Sequence, residues 1–293
     1  MPSLQDFFTN KVVVISGAAS GIGAGLAHCF ASLGCNLALC DIDTGALAEV
    51  ADTITKQHPT TQLHIETIDV SSKAAWQSFL CNAASQLNHI DIMINNAGIE
   101  GSCQPVWATD DDILHKVMDV NFYGMVYGSK VALPYLVKRP WAALVNVSSI
   151  FGLLAPPNTA DYCASKFAIR GYTESLRAEL AQIHPQVQVQ LVHPGGINTN
   201  ITRLPQSQKF KERFLTAEPS AIALHIAKSI MHNKARIIFG NQAARTSLAS
   251  RILPLKWLSK LLAKEIDGLD MKEDYTVDHN GFSLPKDSEK KTD

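Results

Sequence analysis

Short apolar runs rich in β-branched residues alternate with stretches of helical periodicity along most of the 293-residue chain. The first run, KVVVIS at 11–16, is typical of a strand buried on both faces of a parallel sheet. We predict further strands at 36–40, 63–68, 90–95, 142–148, 187–192 and 236–239, and helices at 22–33, 44–57, 74–87, 110–137, 162–182 and 219–232. This alternation predicts a three-layer α/β fold, a doubly wound parallel sheet with helices on both faces.

Composition and charge exclude several other classes of protein. Apolar residues make up 46% of the chain and charged residues 18%, so the chain can bury a large core and is not disordered. Its 26 basic and 27 acidic residues nearly cancel, which argues against binding to nucleic acid. No segment has the length and apolarity of a membrane span or of a signal peptide. Scattered cysteines and histidines without ligand spacing predict no metal site and reduced thiols in a cytoplasmic protein.

A glycine-rich turn follows the first predicted strand and leads directly into a helix. Gly17, Gly21 and Gly23 give it the spacing G-x-x-x-G-x-G. Such glycines allow a tight turn and let the main chain approach a pyrophosphate, whose charge the helix N-terminus stabilises. An ordinary strand-to-helix turn is the alternative. The position at the first βα junction favours a dinucleotide site, which Rossmann-like folds place there.

Asp41 lies just past the second predicted strand, 18 residues after Gly23. A carboxylate there can accept hydrogen bonds from both hydroxyls of an adenosine ribose. A 2′-phosphate would instead bring negative charge against it. Because no Lys or Arg occurs from Val12 through Thr55, the sequence predicts NAD rather than NADP as the cofactor.

Tyr162 and Lys166 lie four residues apart at the start of a predicted helix, and therefore on one face of it. A Tyr phenol has a pKa near 10 and is a poor base at neutral pH. An ammonium ~4 Å away, at an effective dielectric of ~20, favours the phenolate by about 4 kcal/mol, which predicts a Tyr162 pKa near 7. That value suits general acid–base catalysis. Ser149 ends the preceding strand, where its hydroxyl could hydrogen bond the oxygen that Tyr162 protonates.

As an ordered set, these motifs resemble those of the short-chain dehydrogenase/reductase family over about residues 11–200. The matching positions are Gly17, Gly21 and Gly23, Asp69-Val70, Asn95-Asn96-Ala97-Gly98, Asn121, Ser149, Tyr162, Lys166, Pro194-Gly195 and Thr199. Ser16 stands where this family usually carries Thr, and it keeps the hydroxyl.

The resemblance implies four catalytic residues, which are Asn121, Ser149, Tyr162 and Lys166. Tyr162 would be the general acid/base, and Ser149 would orient the substrate oxygen. Lys166 would lower the pKa of Tyr162 and hold the nicotinamide ribose, and Asn121 would position a water in a proton relay with Lys166. The implied cofactor contacts are Gly17, Ser20, Gly21, Ile22, Gly23, Asp41, Asp69, Val70, Asn96, Ala97, Gly98, Tyr162, Lys166, Pro194, Gly195, Ile197 and Thr199.

The expected function is that of an NAD(H)-dependent oxidoreductase acting on a CH–OH group, which interconverts an alcohol and a ketone or aldehyde. Apolar residues near the site, such as Phe151 and Leu154, suggest a lipophilic substrate. Trp107 and Leu153 also flank the predicted site loops, and core packing is an equal alternative for this group. His193 is interpreted as structural. The resemblance further implies a homodimer or homotetramer. Two other functions stay open: a dinucleotide-sensing regulator without turnover, and an extended-branch sugar-nucleotide epimerase or dehydratase.

The domain prediction is a single catalytic domain over residues 1–240, with a substrate loop at about 196–217. An amphipathic extension at 241–271 has leucines at helical spacing from Leu248 to Leu262, interleaved with basic residues and interrupted by Pro254. A polar tail covers 272–293. The extension could pack over the substrate cleft, contact another subunit or adsorb to a membrane surface. Packing or subunit contact is the favoured interpretation.

Overall fold

The computed structural model describes residues 2–199, 201, 204 and 207–266. All of its named strands belong to one parallel sheet with the order β3-β2-β1-β4-β5-β6-β7. The strands are β1 (Val12–Ser16), β2 (Asn36–Asp41), β3 (Leu63–Thr67), β4 (Ile92–Asn95), β5 (Ala142–Val147), β6 (Val187–Pro194) and β7 (Arg236–Phe239). The order reverses direction between β1 and β4, where open α/β sheets bind ligands. The predicted fold class is confirmed.

Helices cover both faces of this sheet and produce the three layers. They are α1 (Leu4–Phe8), α2 (Gly21–Ser32), α3 (Thr44–Gln57), α4 (Lys73–Leu87), α5 (Asp111–Met118), α6 (Gly124–Leu136), α7 (Ala160–Ile183), α8 (Gln208–Phe214), α9 (Pro219–Met231), α10 (Ala243–Ile252) and α11 (Leu255–Ile266). Among these, α1 and α8 were not predicted from the sequence.

Strand β1 shows why the sequence folds in this way. Val13 and Ile15 face one core cluster together with residues of α2 and α9, whereas Val12 and Val14 face the other with residues of α4 and α6. All of β1 is buried. An uninterrupted apolar strand of this kind needs helices on both faces of the sheet, because neither of its faces can be left exposed to solvent.

One predicted helix, over 110–137, is wrong in its continuity. A π-helical turn at Asp119–Tyr123 separates α5 from α6. Such a turn inserts an extra residue without a sequence signal, and it often marks a functional site. Asn121 lies in this turn and is buried.

The predicted extension contains α10 and α11, separated at Leu253 and Pro254. Its predicted end at 271 and the predicted tail 272–293 lie outside the described residues. Across the described ranges, no helix combines the length and apolarity that crossing a membrane requires.

Candidate active site

A cavity of about 800 Å³ lies at the carboxyl ends of the strands. Loops that follow β1, β2, β4, β5 and β6 contribute to its wall. Every predicted cofactor contact lines it except Gly23, and among the predicted catalytic residues Ser149, Tyr162 and Lys166 line it whereas Asn121 does not. Residues far apart in the chain thus meet at the edge where parallel sheets bind ligands.

The glycine turn is clamped against the end of β4. Gly17 has a φ of 67°, and a Cβ added there would lie 2.8 Å from the Cα of Ala97. A Cβ on Gly23 would overlap the carbonyl oxygen of Gly17. The Ser16 hydroxyl accepts hydrogen bonds from the main-chain N–H groups of Asn96 (3.1 Å) and Ala97 (3.2 Å). Glycine is required here because the main chain folds back on itself. Gly23 does not line the cavity, but it packs against the main chain of Gly17 and so allows the tight turn.

The glycine turn leads directly into α2, whose first residues, Gly21 and Ile22, line the cavity. Ser20 is the N-cap residue in extended conformation, and its side chain makes no capping hydrogen bond. Its hydroxyl and the first-turn N–H groups can therefore bind an anion. Asp41 supports the same turn, because its Oδ2 accepts a hydrogen bond from the Ala19 N–H at 2.9 Å. Sequence reasoning missed this supporting contact.

Tyr162 and Lys166 share one face of α7, as predicted. The Lys166 Nζ lies 5.3 Å from the centroid of the Tyr162 ring and donates to the Val147 carbonyl oxygen at 3.4 Å. Burial lowers the pKa of Lys166 to about 8. The Ser149 side chain hydrogen bonds that of Tyr162.

The predicted lowering of the Tyr162 pKa is wrong for this structure. Burial raises the pKa of Tyr162 above its ordinary value, and the Ser149 hydrogen bond offsets only part of that rise. The prediction assumed a partly solvated pair at ~4 Å. Desolvation dominates because both groups are enclosed, which disfavours the phenolate and the ammonium alike.

Asn121 acts on the loop that follows β4. Its Oδ1 accepts from the Ile99 N–H (2.8 Å), and its Nδ2 donates to the Ile99 carbonyl oxygen (3.0 Å) and to the Ser165 hydroxyl (3.1 Å). A Cβ on Gly98 would lie 3.1 Å from this Oδ1 and 3.4 Å from the Lys166 Nζ. The π-helical turn therefore fixes the segment that passes directly above Lys166.

His193 is buried and supports Ser149. Its Nδ1 donates to the Ser149 carbonyl oxygen at 2.7 Å. Burial lowers the pKa of His193 to about 4, so the ring is neutral at physiological pH. This contact agrees with the structural interpretation, since the ring holds the main chain of Ser149 and does not line the cavity.

The far end of the cavity is aromatic and apolar. Phe151 packs edge-on against Tyr162, with ring centroids 6.2 Å apart. Phe210 lies 6.0 Å from Phe151, and Phe214 lies 4.9 Å from Phe210. Leu262 of α11 also lines the cavity. Sequence reasoning missed the two α8 rings, although their spacing of four residues was a usable helical signal.

The other apolar residues flagged near the site divide into two groups. Phe151 and Leu154 line the cavity. Leu153 is buried elsewhere, and Trp107 is exposed at the surface. In the part of the chain that the structure describes, no cluster of His, Cys, Asp or Glu could hold a metal ion.

Most of the chain is similar in sequence to known short-chain dehydrogenases. A family model described as short chain dehydrogenase matches residues 11–209. SadH of Mycobacterium tuberculosis, to which an oxidoreductase activity is provisionally assigned, is 33% identical over 256 residues, covering 84% of this chain and 92% of SadH. An NAD⁺-dependent 2-dehydro-3-deoxy-L-rhamnonate dehydrogenase from a Sphingomonas strain is 32% identical over 202 residues, covering 69% and 78%.

Solved structures are also similar. A short-chain dehydrogenase/reductase from Burkholderia phymatum, determined in complex with NAD, has a TM-score of 0.74 at 28% identity, covering 78% of this chain and 89% of that one. A related enzyme from Mycobacterium marinum has a TM-score of 0.73 at 25% identity, covering 82% and 99%.

Proposed function

Because the chain belongs to the short-chain dehydrogenase/reductase family and is an oxidoreductase of it, we propose that it interconverts a lipophilic alcohol and the matching ketone or aldehyde with NAD. The observation that carries this proposal is the placement of Ser149, Tyr162 and Lys166 midway along one cavity. The glycine turn lies at one end and the aromatic wall at the other. The family relationship supplies the reaction class, and the cavity supports the choice of residues.

The residues at the glycine end fit a dinucleotide. Gly17 and Gly21 line the cavity without side chains of their own, and the Ser20 side chain makes no capping hydrogen bond. Asp69 and Val70 would meet the adenine, while Asp41 would bind its ribose. The segment proposed to meet the nicotinamide lines the cavity with Pro194, Gly195, Ile197 and Thr199. The bound nicotinamide supplies the hydride donor or acceptor.

The chain's own residues would position the substrate and move the proton. In carbonyl reduction, Tyr162 donates its phenolic proton to the substrate oxygen, and the raised pKa keeps that proton available at neutral pH. In alcohol oxidation the transfer runs in reverse: Tyr162 must first release its own phenolic proton to solvent, and the phenolate oxygen then takes the proton of the substrate hydroxyl. Ser149 orients the same substrate oxygen, while Lys166 stabilises negative charge as it develops on Tyr162. The water relay at Asn121 stays a prediction, and its described contacts support a role in holding the loop at Gly98.

The preference for NAD rests on Asp41. At ~4 Å and an effective dielectric of ~20, each charge of a 2′-phosphate would cost about 4 kcal/mol against this carboxylate before screening. If only a quarter of the total remains, about 2 kcal/mol gives roughly a 30-fold preference. Lys116 and Lys166 are the lysines in the described wall, and they belong to α5 and α7 rather than to the loop after β2. We expect NAD to exceed NADP by at least tenfold in kcat/KM.

The lipophilic substrate rests on the three phenylalanines beyond Tyr162. A carbonyl within reach of Ser149 and Tyr162 would place the rest of the substrate against Phe151, Phe210 and Phe214. The test is a screen of secondary alcohols, steroids, retinoids and fatty alcohols with NAD, followed by the absorbance of the reduced nicotinamide. Turnover that rises with substrate lipophilicity supports the proposal. Tight NAD binding without turnover of any class would favour the sensing regulator instead.

The enzyme is proposed to be cytoplasmic, which the six free cysteines support. It is proposed to be a homodimer or homotetramer built on one catalytic domain over residues 1–240. Light scattering coupled to size exclusion measures the assembly directly, and a monomer would contradict it.

A further inference from the structure

The two C-terminal helices present a surface that the proposed reaction does not use. Together with Leu253, which lies between them, they expose six large apolar side chains between residues 248 and 261: Leu248, Ile252, Leu253, Leu255, Trp257 and Leu261. Trp257 is 67% exposed, and Leu255 is 77% exposed. Single exposed apolar residues are ordinary, but a group of this size points to a binding surface.

The orientation of α11 is fixed by its inner side. Leu258 is buried and Leu262 lines the cavity, one turn farther along the same face. With 3.6 residues per turn, Lys256, Lys260 and Lys264 fall on the opposite face, and all three are exposed. Trp257 and Leu261 lie beside this row of lysines, so the outward side of the helix combines cations with an aromatic and an aliphatic side chain.

The charge of this surface is one-sided. Arg245 and Arg251 are also exposed, which gives five cations between residues 241 and 264, and the sequence has no Asp or Glu in that interval. Among the described residues none of the five takes part in an ion pair. The rest of the chain must then carry a net negative charge, since the whole chain is at −1. We call the exposed side of residues 245–264 the basic face.

We propose that the basic face docks on the anionic lipid headgroups of a membrane. Lysine and arginine next to exposed tryptophan and leucine are the combination that interfacial helices use, with the cations at the headgroups and the apolar side chains at the acyl boundary. A second copy of the chain would bring five cations against five in a self-complementary contact, which is unfavourable. A nucleic acid would leave the apolar side chains without a partner.

The basic face and one wall of the cavity belong to the same helix. If the substrate is lipophilic, as the proposed function has it, docking would bring the cavity close to the phase in which such a substrate dissolves. The docking itself does not depend on that function, so it is tested by binding rather than by turnover.

The experiment compares the full chain on two kinds of vesicle by sedimentation. One is phosphatidylcholine alone, and the other contains about one third phosphatidylserine. We expect binding to the anionic vesicles, weakened by salt, and little binding to the neutral ones. The triple variant Lys256→Gln, Lys260→Gln, Lys264→Gln should bind about 100-fold more weakly, since each cation at such a surface contributes about fivefold. A matched triple variant with exposed lysines elsewhere, Lys56→Gln, Lys73→Gln and Lys138→Gln, should bind like the wild type.

Fluorescence locates the contact. A blue shift of the tryptophan emission on anionic vesicles should disappear in Trp257→Phe, while sedimentation of that variant is nearly unchanged. Equal binding of the two lysine triples, or no binding of the wild type to anionic vesicles, would overturn the proposal. A change of mass in light scattering for the 256/260/264 triple, without a loss of vesicle binding, would also overturn it in favour of a second copy on this face.

Discussion

The two ends of the cavity are built in different ways. At the glycine end the main chain itself sets the shape, since added Cβ atoms at Gly17 and Gly23 would collide with Ala97 and with Gly17. At the aromatic end the shape comes from side chains of separate elements, such as Phe151 and Phe210. The first kind of construction tolerates no change and leaves a motif in the sequence. The second can vary residue by residue, which makes it the place where substrate specificity can change without loss of the fold.

The largest expected effect is at Lys166, between the two ends. Lys166→Met should lower turnover at least 100-fold and weaken NAD binding, because the ammonium is proposed to serve both Tyr162 and the ribose. Lys130→Met, an exposed lysine on α6, is the control. Steady-state kinetics and a cofactor titration measure the two effects. Unchanged turnover and unchanged NAD affinity would show that Lys166 has no role in the site.

The same variant should be more stable than the wild type. Burial lowers the pKa of Lys166 from 10.5 to about 8, so the unfolded chain binds more protons between these values and wild-type stability rises with pH there. Below pH 8 the folded wild type bears the full cost of the buried charge, up to about 3 kcal/mol. Denaturant unfolding should give Lys166→Met a higher free energy of unfolding than the wild type at pH 7. The difference between the two free energies should decrease toward pH 10.5. A difference that widens with pH would contradict this assignment.

Gly23→Ala tests the claim that the main chain sets the glycine end. The added Cβ overlaps the Gly17 carbonyl oxygen, so the turn must shift at a cost of about 2 kcal/mol, or roughly a 30-fold loss of NAD affinity. Gly45→Ala on α3 is the control, because its Cβ would approach nothing closer than 3.7 Å. Cofactor titration and melting temperatures give the comparison. Equal affinity in both variants would mean that the turn is not rigid.

Asp41→Asn separates the charge at the ribose from the contact that holds the turn. The amide oxygen can still accept from the Ala19 N–H, while the repulsion toward a 2′-phosphate is removed. The NAD preference should therefore narrow by about tenfold, measured as the ratio of kcat/KM values. Asp52→Asn is the control. It removes an exposed carboxylate on α3, the helix that follows β2, and should leave the ratio of the two kcat/KM values unchanged. If wild-type efficiencies are equal or favour NADP, the assignment of Asp41 is wrong.

The smallest effect is expected at the aromatic end. Phe210→Ala should raise KM for a lipophilic substrate about fivefold with little change in kcat, because about 1 kcal/mol of apolar contact is lost. Phe167→Ala, an exposed phenylalanine outside the cavity wall, is the matched control. A small hydrophilic substrate should not distinguish the two variants. Equal KM values of Phe210→Ala and Phe167→Ala for the lipophilic substrate would show that this substrate does not bind against Phe210.

The sequence predicted most where a local rule decides the structure. Helix α3 begins at Thr44 and ends at Gln57 as predicted, since Asp43 caps it by accepting from the Ala46 N–H at 3.0 Å. Strand β1 followed from its continuous apolar run. The contacts of Asn121 could not be predicted, because the π-helical turn has no signal in the residue pattern.

Two features of the site depend on distances and burial that the spacing of residues does not contain. The pKa of Tyr162 is set by enclosure rather than by the four-residue interval to Lys166, which is why the predicted direction was wrong. Phe210 and Phe214 reach the cavity because Gly196 packs against the main chain at Phe214, a contact between segments with no shared motif. The substrate end is therefore read from the structure, and the cofactor end from the sequence.

The proposed role of Tyr162 is tested most directly by Tyr162→Phe, with Tyr172→Phe on the same helix as the control. We expect NADH binding by Tyr162→Phe to remain within about twofold of the wild type while turnover on the best substrate falls at least 100-fold, since only the transferable proton is removed. Tyr172→Phe should keep both. Near wild-type turnover in Tyr162→Phe would contradict the assignment of Tyr162 as the general acid/base.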